Sequence, residues 1–492
     1  MTEHGGFPWD PSGFPSPPWE KLVSQIIPPE KMQERQSAPP LVLALPCIGI
    51  DACCCALKRL GIPFSVPYAY DVQSCLAGPL TALHGNIDHF CLGSIQGDLL
   101  SADILSWDPC DGVVAGPPCP PWSMIGERGS WDDPRAAVFN KVTDIIVDQG
   151  KKGCKFFIVE MVEGMDTIPG TGDRSRHSSS SGSSLSPYQE WFEDLSRRAP
   201  VWRLQKWTGQ ADHYLPQHRQ RIYTIGTNKQ QFLPALPPPI PPVHKRLTLS
   251  EVLHPGIPPN QEHTLSDRLS WHLCIAKARF LDRARRENNQ QGGELTVHGS
   301  ELDVSGRWLT IELDRSPDGE WSTPVRTDGS VPTLRTKHKA TWVVRFSCTR
   351  RAVISRWLHP IEHLTLQGFP PETSIGLTCP EIIHVAGNAC TVPVMAGILL
   401  RVLSRVRFPT HGGPLTAPSL PLQLDAMRLT DQLRAEIAWL QAETIALTSQ
   451  LEVVTRLHEV EARRNFNLRL ENRHQEEPGE GREEPGEGTP TM

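Results

Sequence analysis

Five short stretches of this 492-residue chain carry side chains that could do chemistry. The first is GPPCPPWS at 116–123, directly after the apolar run GVVA. It puts Cys119 in a proline-stiffened turn at the carboxyl end of a strand, where open α/β sheets place their active sites. The stiff loop fixes the sulfur against a substrate. A cysteine in a turn is ordinarily a packing residue; Cys119 stands apart because of the four stretches that follow it. FFIVE ends a second strand in Glu160. PQHRQR brings Gln217, Arg219 and Arg221 just ahead of the strand-like RIYTIG. SRWLHPIEHLTLQGFP stands at 355–370, and AGNACTVPV at 386–394.

In this order the five blocks resemble the successive motifs of the DNA cytosine-5 methyltransferase family: PPC, a strand-end glutamate, QxRxR, ExxxLQGFP and GNxxxPV. The resemblance covers residues 41–230 and 351–405, and five blocks in order are far more specific than any one. It implies an α/β fold, a Rossmann-like S-adenosylmethionine-dependent methyltransferase sheet with a small target-recognition domain. It also implies the chemistry. Cys119 matches the nucleophile that adds to carbon 6 of cytosine, a role that suits sulfur because it attacks well and leaves well. Glu160 matches the acid that holds the ring nitrogen and exocyclic amine. Arg221, with Arg219 beside it, matches the arginines that contact the base carbonyl and order the loop. The target base is hidden in a duplex, so the family flips it out.

The cofactor implied is S-adenosyl-L-methionine. ALPCIGIDACCCALKRLG at 44–61 stands where the family has Phe-x-Gly-x-Gly-Gly. Gly49 aligns with the first glycine, Asp51 and Ala52 replace the next two, and Cys47 replaces the aromatic residue. Asp71, ending YAYD, matches the acid for the ribose hydroxyls, and Asp98 in QGDLL the acid for the adenine amine. Pro117 of the PPC block and Asn388 of the last block complete the cofactor set. Met161 departs from the family, which has asparagine after the glutamate. Arg135, in DDPRAAVF, resembles a residue that braces the site. No metal site is expected.

These residues need elements to position them. Short apolar runs between 41 and 165 (LVLAL, FSVPYAY, GVVAG, FFIVE) alternate with plausible helices, the rhythm of a parallel sheet. Residues 41–230 are read as the first part of the catalytic domain, 231–350 as the target-recognition region and 351–410 as the return to the catalytic domain. Residues 1–40 are read as a proline-rich disordered arm, and TGDRSRHSSSSGSSLS at 171–186 as a flexible loop. PTLRTKHK at 332–339 resembles the end of the family's recognition region. Two basic clusters, Lys277, Arg279, Arg283, Arg285 and Arg286, then Arg335, Lys337, Lys339 and Arg345, would contact phosphates there. Leu433, Ile437, Leu440, Leu447, Leu451 and Val454 fall on a and d positions, with Thr444 as the polar exception. They predict a coiled-coil helix over 422–472, and with it self-association or a coiled-coil partner. Residues 473–492, with EEPGEG twice, read as an acidic disordered tail.

Composition bounds the function. Hydrophobic residues are 38% and charged residues 21%, and no run of about 18 apolar residues suggests a membrane span. A net charge of −6 makes any grip on nucleic acid local. The 47 prolines, about twice the ordinary ~5% share, point to long loops and linkers. Thirteen cysteines without a CxxC pair argue against a zinc ribbon. An odd count, with no secretory pattern at the start, points to reduced thiols inside a cell, and the family resemblance implies the nucleus for a eukaryotic member. The expected substrate is DNA. Two other readings stay open, a tRNA cytosine-5 methyltransferase and a catalytically weakened binding or scaffold protein.

Overall fold

The computed structural model describes residues 11–123, 129–167, 185–230, 246–254, 308–312, 328–336, 341–346 and 352–405, with a few isolated positions between them. The coiled-coil stretch 422–472, the acidic tail, residues 171–184 of the serine-rich loop, and Arg279, Arg283, Arg285, Arg286, Lys337 and Lys339 lie outside the described residues.

A seven-stranded sheet carries the molecule. Its strands are β1 (Leu41–Pro46), β2 (Phe64–Asp71), β3 (Cys91–Leu92), β4 (Gly112–Ala115), β5 (Phe156–Met161), β6 (Trp202–Gln210) and β7 (Gln220–Asn228), in the spatial order 3-2-1-4-5-7-6. The first five are parallel, and β7 runs antiparallel to both β5 and β6. β1 and β4 are adjacent, and from them the chain winds outward in both directions. That reversal is the switch point at which such sheets open a crevice beyond their carboxyl ends.

Strand periodicity divides the core in two. Leu43, Leu45, Val114, Phe156 and Ile158 face one apolar cluster, and their neighbours Ala44, Val113, Ala115, Phe157 and Val159 face the other. Both faces are covered, so the strands are apolar without alternation, as parallel strands are. The first face carries α3 (Ala52–Arg59), α4 (Ala77–His84) and α10 (Val392–Leu403), and the second α5 (Ala136–Lys151) and α6 (Pro187–Arg198). In α3 the trio Cys53, Cys54 and Cys55 is buried, so these thiols act as small apolar side chains against α10. The apolar stretch Cys379–Leu403 would be long enough for a membrane span, but it breaks into α9 (Cys379–Asn388) and α10, both packed in the core.

A second, antiparallel sheet has four strands, β8 (Trp308–Glu312), β9 (Val325–Arg326), β10 (Thr341–Phe346) and β11 (Ala352–Trp357), ordered 11-10-8-9. β11 thus continues past the expected boundary at 350. The PTLRT stretch docks this sheet's chain onto the first. Val331 exchanges backbone hydrogen bonds with Pro216 and His218 at 2.8 Å, and Thr333 Oγ1 donates to His218 O at 2.6 Å. Two basic residues expected to meet phosphates are engaged internally. Arg335 lies 3.3 Å from Glu312, and the Arg345 guanidinium lies 5.7 Å from the Trp308 ring centre.

The expectation of a disordered arm over 1–40 does not hold from residue 11 onward. Glu20–Val23 (α1) and Pro29–Gln36 (α2) are helical, and Leu22, Val23, Ile26 and Ile27 join the first core cluster. Trp19 is fully buried. Its indole donates to Gly368 O at 2.8 Å, and Arg59 stacks on its ring while bonding Pro17 O, Gly368 O and Glu20. Proline here shapes a strap: its apolar side chains cover α10 and anchor the LQGFP turn.

Candidate active site

The carboxyl ends of β1, β2, β4 and β5 open into one cavity of about 200 Å³, continuous with solvent. Gly49, Asp71, Asp98, Pro117, Cys119, Glu160 and Asn388 all line it. The structure therefore brings seven of the nine sequence-selected residues to one place, from six separate chain segments. Arg219 and Arg221 stand behind Glu160.

One end of the cavity is built from strand-end acids. Asp71 Oδ2 accepts from Gly49 N at 2.9 Å and Oδ1 from Gln73 N at 3.0 Å. Burial raises the Asp71 pKa, opposed by those backbone donors. Asp98 caps a 3₁₀ turn, accepting from Leu100 N at 3.0 Å and Ser101 Oγ at 3.4 Å. Its neighbour Gly97 is forced by close approach, since a Cβ there would lie 1.9 Å from Asp71 O. At Gly49, φ is +55° and a Cβ would meet nothing within 4 Å, so a side chain would project into free space beside the cavity. Asn388 lies 3.2 Å from His384 Nε2.

At the other end, Cys119 Sγ sits 3.6 Å from Pro117 O, its loop held by Pro117, Pro118, Pro120 and Pro121. Glu160 is 2% exposed. Its Oε1 faces Arg221 Nε at 3.1 Å, but too obliquely for a hydrogen bond, so this buried oxygen has no donor among the described residues. Burial and the Glu160 charge push the Cys119 thiol up to about 11, while Arg221 and Arg219 pull it down. The free protein therefore holds a thiol at neutral pH. Its alkylation by iodoacetamide, read on the Cys119 peptide by mass spectrometry, is expected to rise about tenfold per pH unit from 7 to 9. A plateau below pH 9 would contradict the buried, acid-flanked setting.

The structure separates the two arginines. Arg221 stays with Glu160. Arg219, 4% exposed, donates to Gly387 O at 3.1 Å and Ala389 O at 2.7 Å, and burial together with the Arg221 charge lowers its pKa to about 10. Arg219 therefore orders the Asn388 loop rather than facing the cavity. Gln367 works from the other side of that loop. Its amide donates to Ala386 O at 2.8 Å and accepts from Thr391 Oγ1 at 3.0 Å. The glutamate of the fourth block, Glu362, is fully buried and paired bidentately with Arg356 at 2.8 Å, while accepting from His254 N and His359 N. Block four is thus scaffold for block five. Sequence reasoning missed Arg356, whose pairing appears only once β11 turns into α8 (Pro360–Thr365). It also missed Cys390, a second thiol in the cavity wall, pushed up by burial.

The departure at Met161 and the expected brace Arg135 both have plain local settings. Met161 is buried in the second apolar cluster with Trp122 and Met165, where a thioether fills space. Arg135 forks onto Asp133 at 2.8 and 2.5 Å at the start of α5.

The family described as C-5 cytosine-specific DNA methylase matches residues 86–170, the segment that holds Cys119 and Glu160. Over that segment the chain is similar to the cytosine-5 DNA methyltransferases. The chain is 24% identical to the type II methyltransferase M.NlaIV of Neisseria lactamica over 280 residues, 56% of this chain and 59% of that protein. It is 22% identical to the type II methyltransferase M.NlaX of the same organism over 347 residues, 69% of this chain and 91% of that protein. The match thus spans less than two thirds of M.NlaIV. Among solved structures, a DNMT2 mutant of Spodoptera frugiperda aligns with a TM-score of 0.45 and 13% identity, covering 74% of this chain and 99% of that chain.

Proposed function

We propose that the chain transfers a methyl group from S-adenosyl-L-methionine to carbon 5 of cytosine in DNA. The observation that carries this reading is the meeting of Cys119 and Glu160 in one cavity whose far wall is built from strand-end acids. The donor set suits the cofactor: Asp71 and Asp98 offer acceptors to hydroxyls and an amine, Gly49 and Pro117 leave room for close approach, and Asn388 closes the wall. When bound, S-adenosyl-L-methionine supplies an electrophilic methyl group.

The residues then divide the work. Cys119, its thiol proton released to solvent, forms a carbon–sulfur bond to carbon 6 of a flipped base. Glu160, with Oε1 lacking a donor, accepts from the exocyclic amine, and its other oxygen, when it carries a proton, donates to the ring nitrogen as charge moves there. The electron pair this makes available at carbon 5 would take up the methyl group as its bond to the cofactor sulfur breaks, leaving S-adenosyl-L-homocysteine. Loss of the carbon 5 proton and breaking of the carbon–sulfur bond then restore the ring and free Cys119. Arg221 fixes the Glu160 carboxylate, and the two arginine charges favour the thiolate. The protein acts inside a cell in this reading.

Duplex DNA carrying 5-fluorocytosine tests the step, because fluorine cannot leave as the proton does. With cofactor present, a complex stable to denaturing electrophoresis is expected, with the nucleotide on the Cys119 peptide. A complex that never forms, or one carried by another residue, would overturn the assignment.

A further inference from the structure

Three residues between β1 and α3 have positive φ: Cys47 at 60°, Gly49 at 55° and Asp51 at 57°. Glycine takes this conformation freely, but at Asp51 the Cβ crowds its own backbone. Asp51 lines the cavity where the family pattern has a glycine. Something must therefore hold the loop, and the contacts of the Asp51 carboxylate show what does. Oδ1 accepts from Cys54 N at 2.8 Å, capping α3, and Oδ2 lies 2.8 Å from His84 Nε2. Asp51 is 2% exposed, and the His84 ring sits edge-on against Phe64 and Phe90. A buried carboxylate without a partner is costly, and His84 is that partner.

His84 is the last residue of α4, the helix that follows Asp71. The pair therefore ties the Gly49 loop to the segment after β2, parallel to the bond from Gly49 N to Asp71. Cys54 Sγ also lies within 4.8 Å of both groups. A shared metal does not fit, because oxygen and nitrogen on one tetrahedral zinc stand about 3.3 Å apart, whereas these two share a proton at 2.8 Å.

We propose that Asp51 and His84 form a positioning pair that holds the S-adenosyl-L-methionine loop in its strained conformation, so that His84 is required only because residue 51 is an aspartate. The inference rests on the cofactor reading above. A double-mutant cycle tests it on the full chain. His84→Ala is expected to weaken S-adenosyl-L-methionine binding by calorimetry at least about tenfold, raising KM while leaving kcat at saturation within about twofold. Asp51→Gly should bind within about threefold of wild type, and adding His84→Ala to Asp51→Gly should change little further. His84→Gln, whose amide can donate to the carboxylate, should recover most of the loss. Equal effects of His84→Ala in both backgrounds would overturn the pair, as would no effect in either. The same cycle read by thermal unfolding needs no cofactor: the His84→Ala loss should appear with Asp51 and vanish with Asp51→Gly. If the wild type binds no S-adenosyl-L-methionine, the cofactor reading fails while unfolding still decides the pair.

Discussion

Replacing Cys119 by serine should lower methyl transfer by at least about three orders of magnitude, the scale on which loss of a covalent nucleophile is felt. The hydroxyl occupies almost the same volume and the proline-framed loop 116–123 stays intact, so affinity for S-adenosyl-L-methionine should remain within about twofold. Serine fails because its hydroxyl is far harder to deprotonate than a thiol already pushed up to about 11 and is a poorer leaving group when the adduct collapses. The check pairs single-turnover transfer with calorimetry. Transfer within tenfold of wild type would remove Cys119 from the mechanism. Lost cofactor binding would mean that the substitution disturbed the cavity.

The second large effect lies away from the chemistry. Arg356→Met should destabilise the protein by about 3–5 kcal/mol, the cost of breaking one side of a buried ion pair. Arg356 and Glu362 are 1% and 0% exposed. Removing the guanidinium leaves a carboxylate held only by the His254 and His359 backbone donors. Adding Glu362→Gln should recover much of the loss, because the uncompensated charge is gone. Denaturant midpoints measure both. A loss under about 1 kcal/mol for Arg356→Met would show that water reaches Glu362 once its partner is removed.

The contrast between these sites explains how much of the molecule was legible. Cys119 and Glu160 could be found because each ends a strand in a short stretch whose composition is local: a proline turn after GVVA, a carboxylate after FFIV. The parallel sheet was legible for the same reason, since strands buried on both faces are continuous apolar runs. What the residue pattern hid depends on partners far along the chain. Trp19 reads as a stray tryptophan in a proline-rich arm until Gly368, 349 positions away, accepts its indole proton. Arg219 and Arg221 look equivalent as neighbours in one motif. Arg221 lies within β7 and meets Glu160 of the neighbouring β5, whereas Arg219 stands just before the strand and turns to the Gly387 and Ala389 carbonyls. Asp51 reads as a damaged glycine motif until His84, 33 positions on, closes against it. The region 244–350 resisted because β8 and β9 are short and pair only within their own small antiparallel sheet.

Transfer of labelled methyl from S-adenosyl-L-methionine, with duplex DNA and tRNA offered separately to the full-length protein, tests the central claim most directly. Label recovered as 5-methylcytosine in the duplex, and absent from tRNA, is the predicted result. Label in tRNA alone would move the same chemistry to the other nucleic acid. No label in either, from protein that binds the cofactor, would contradict the enzyme reading and leave a methyltransferase fold that only binds.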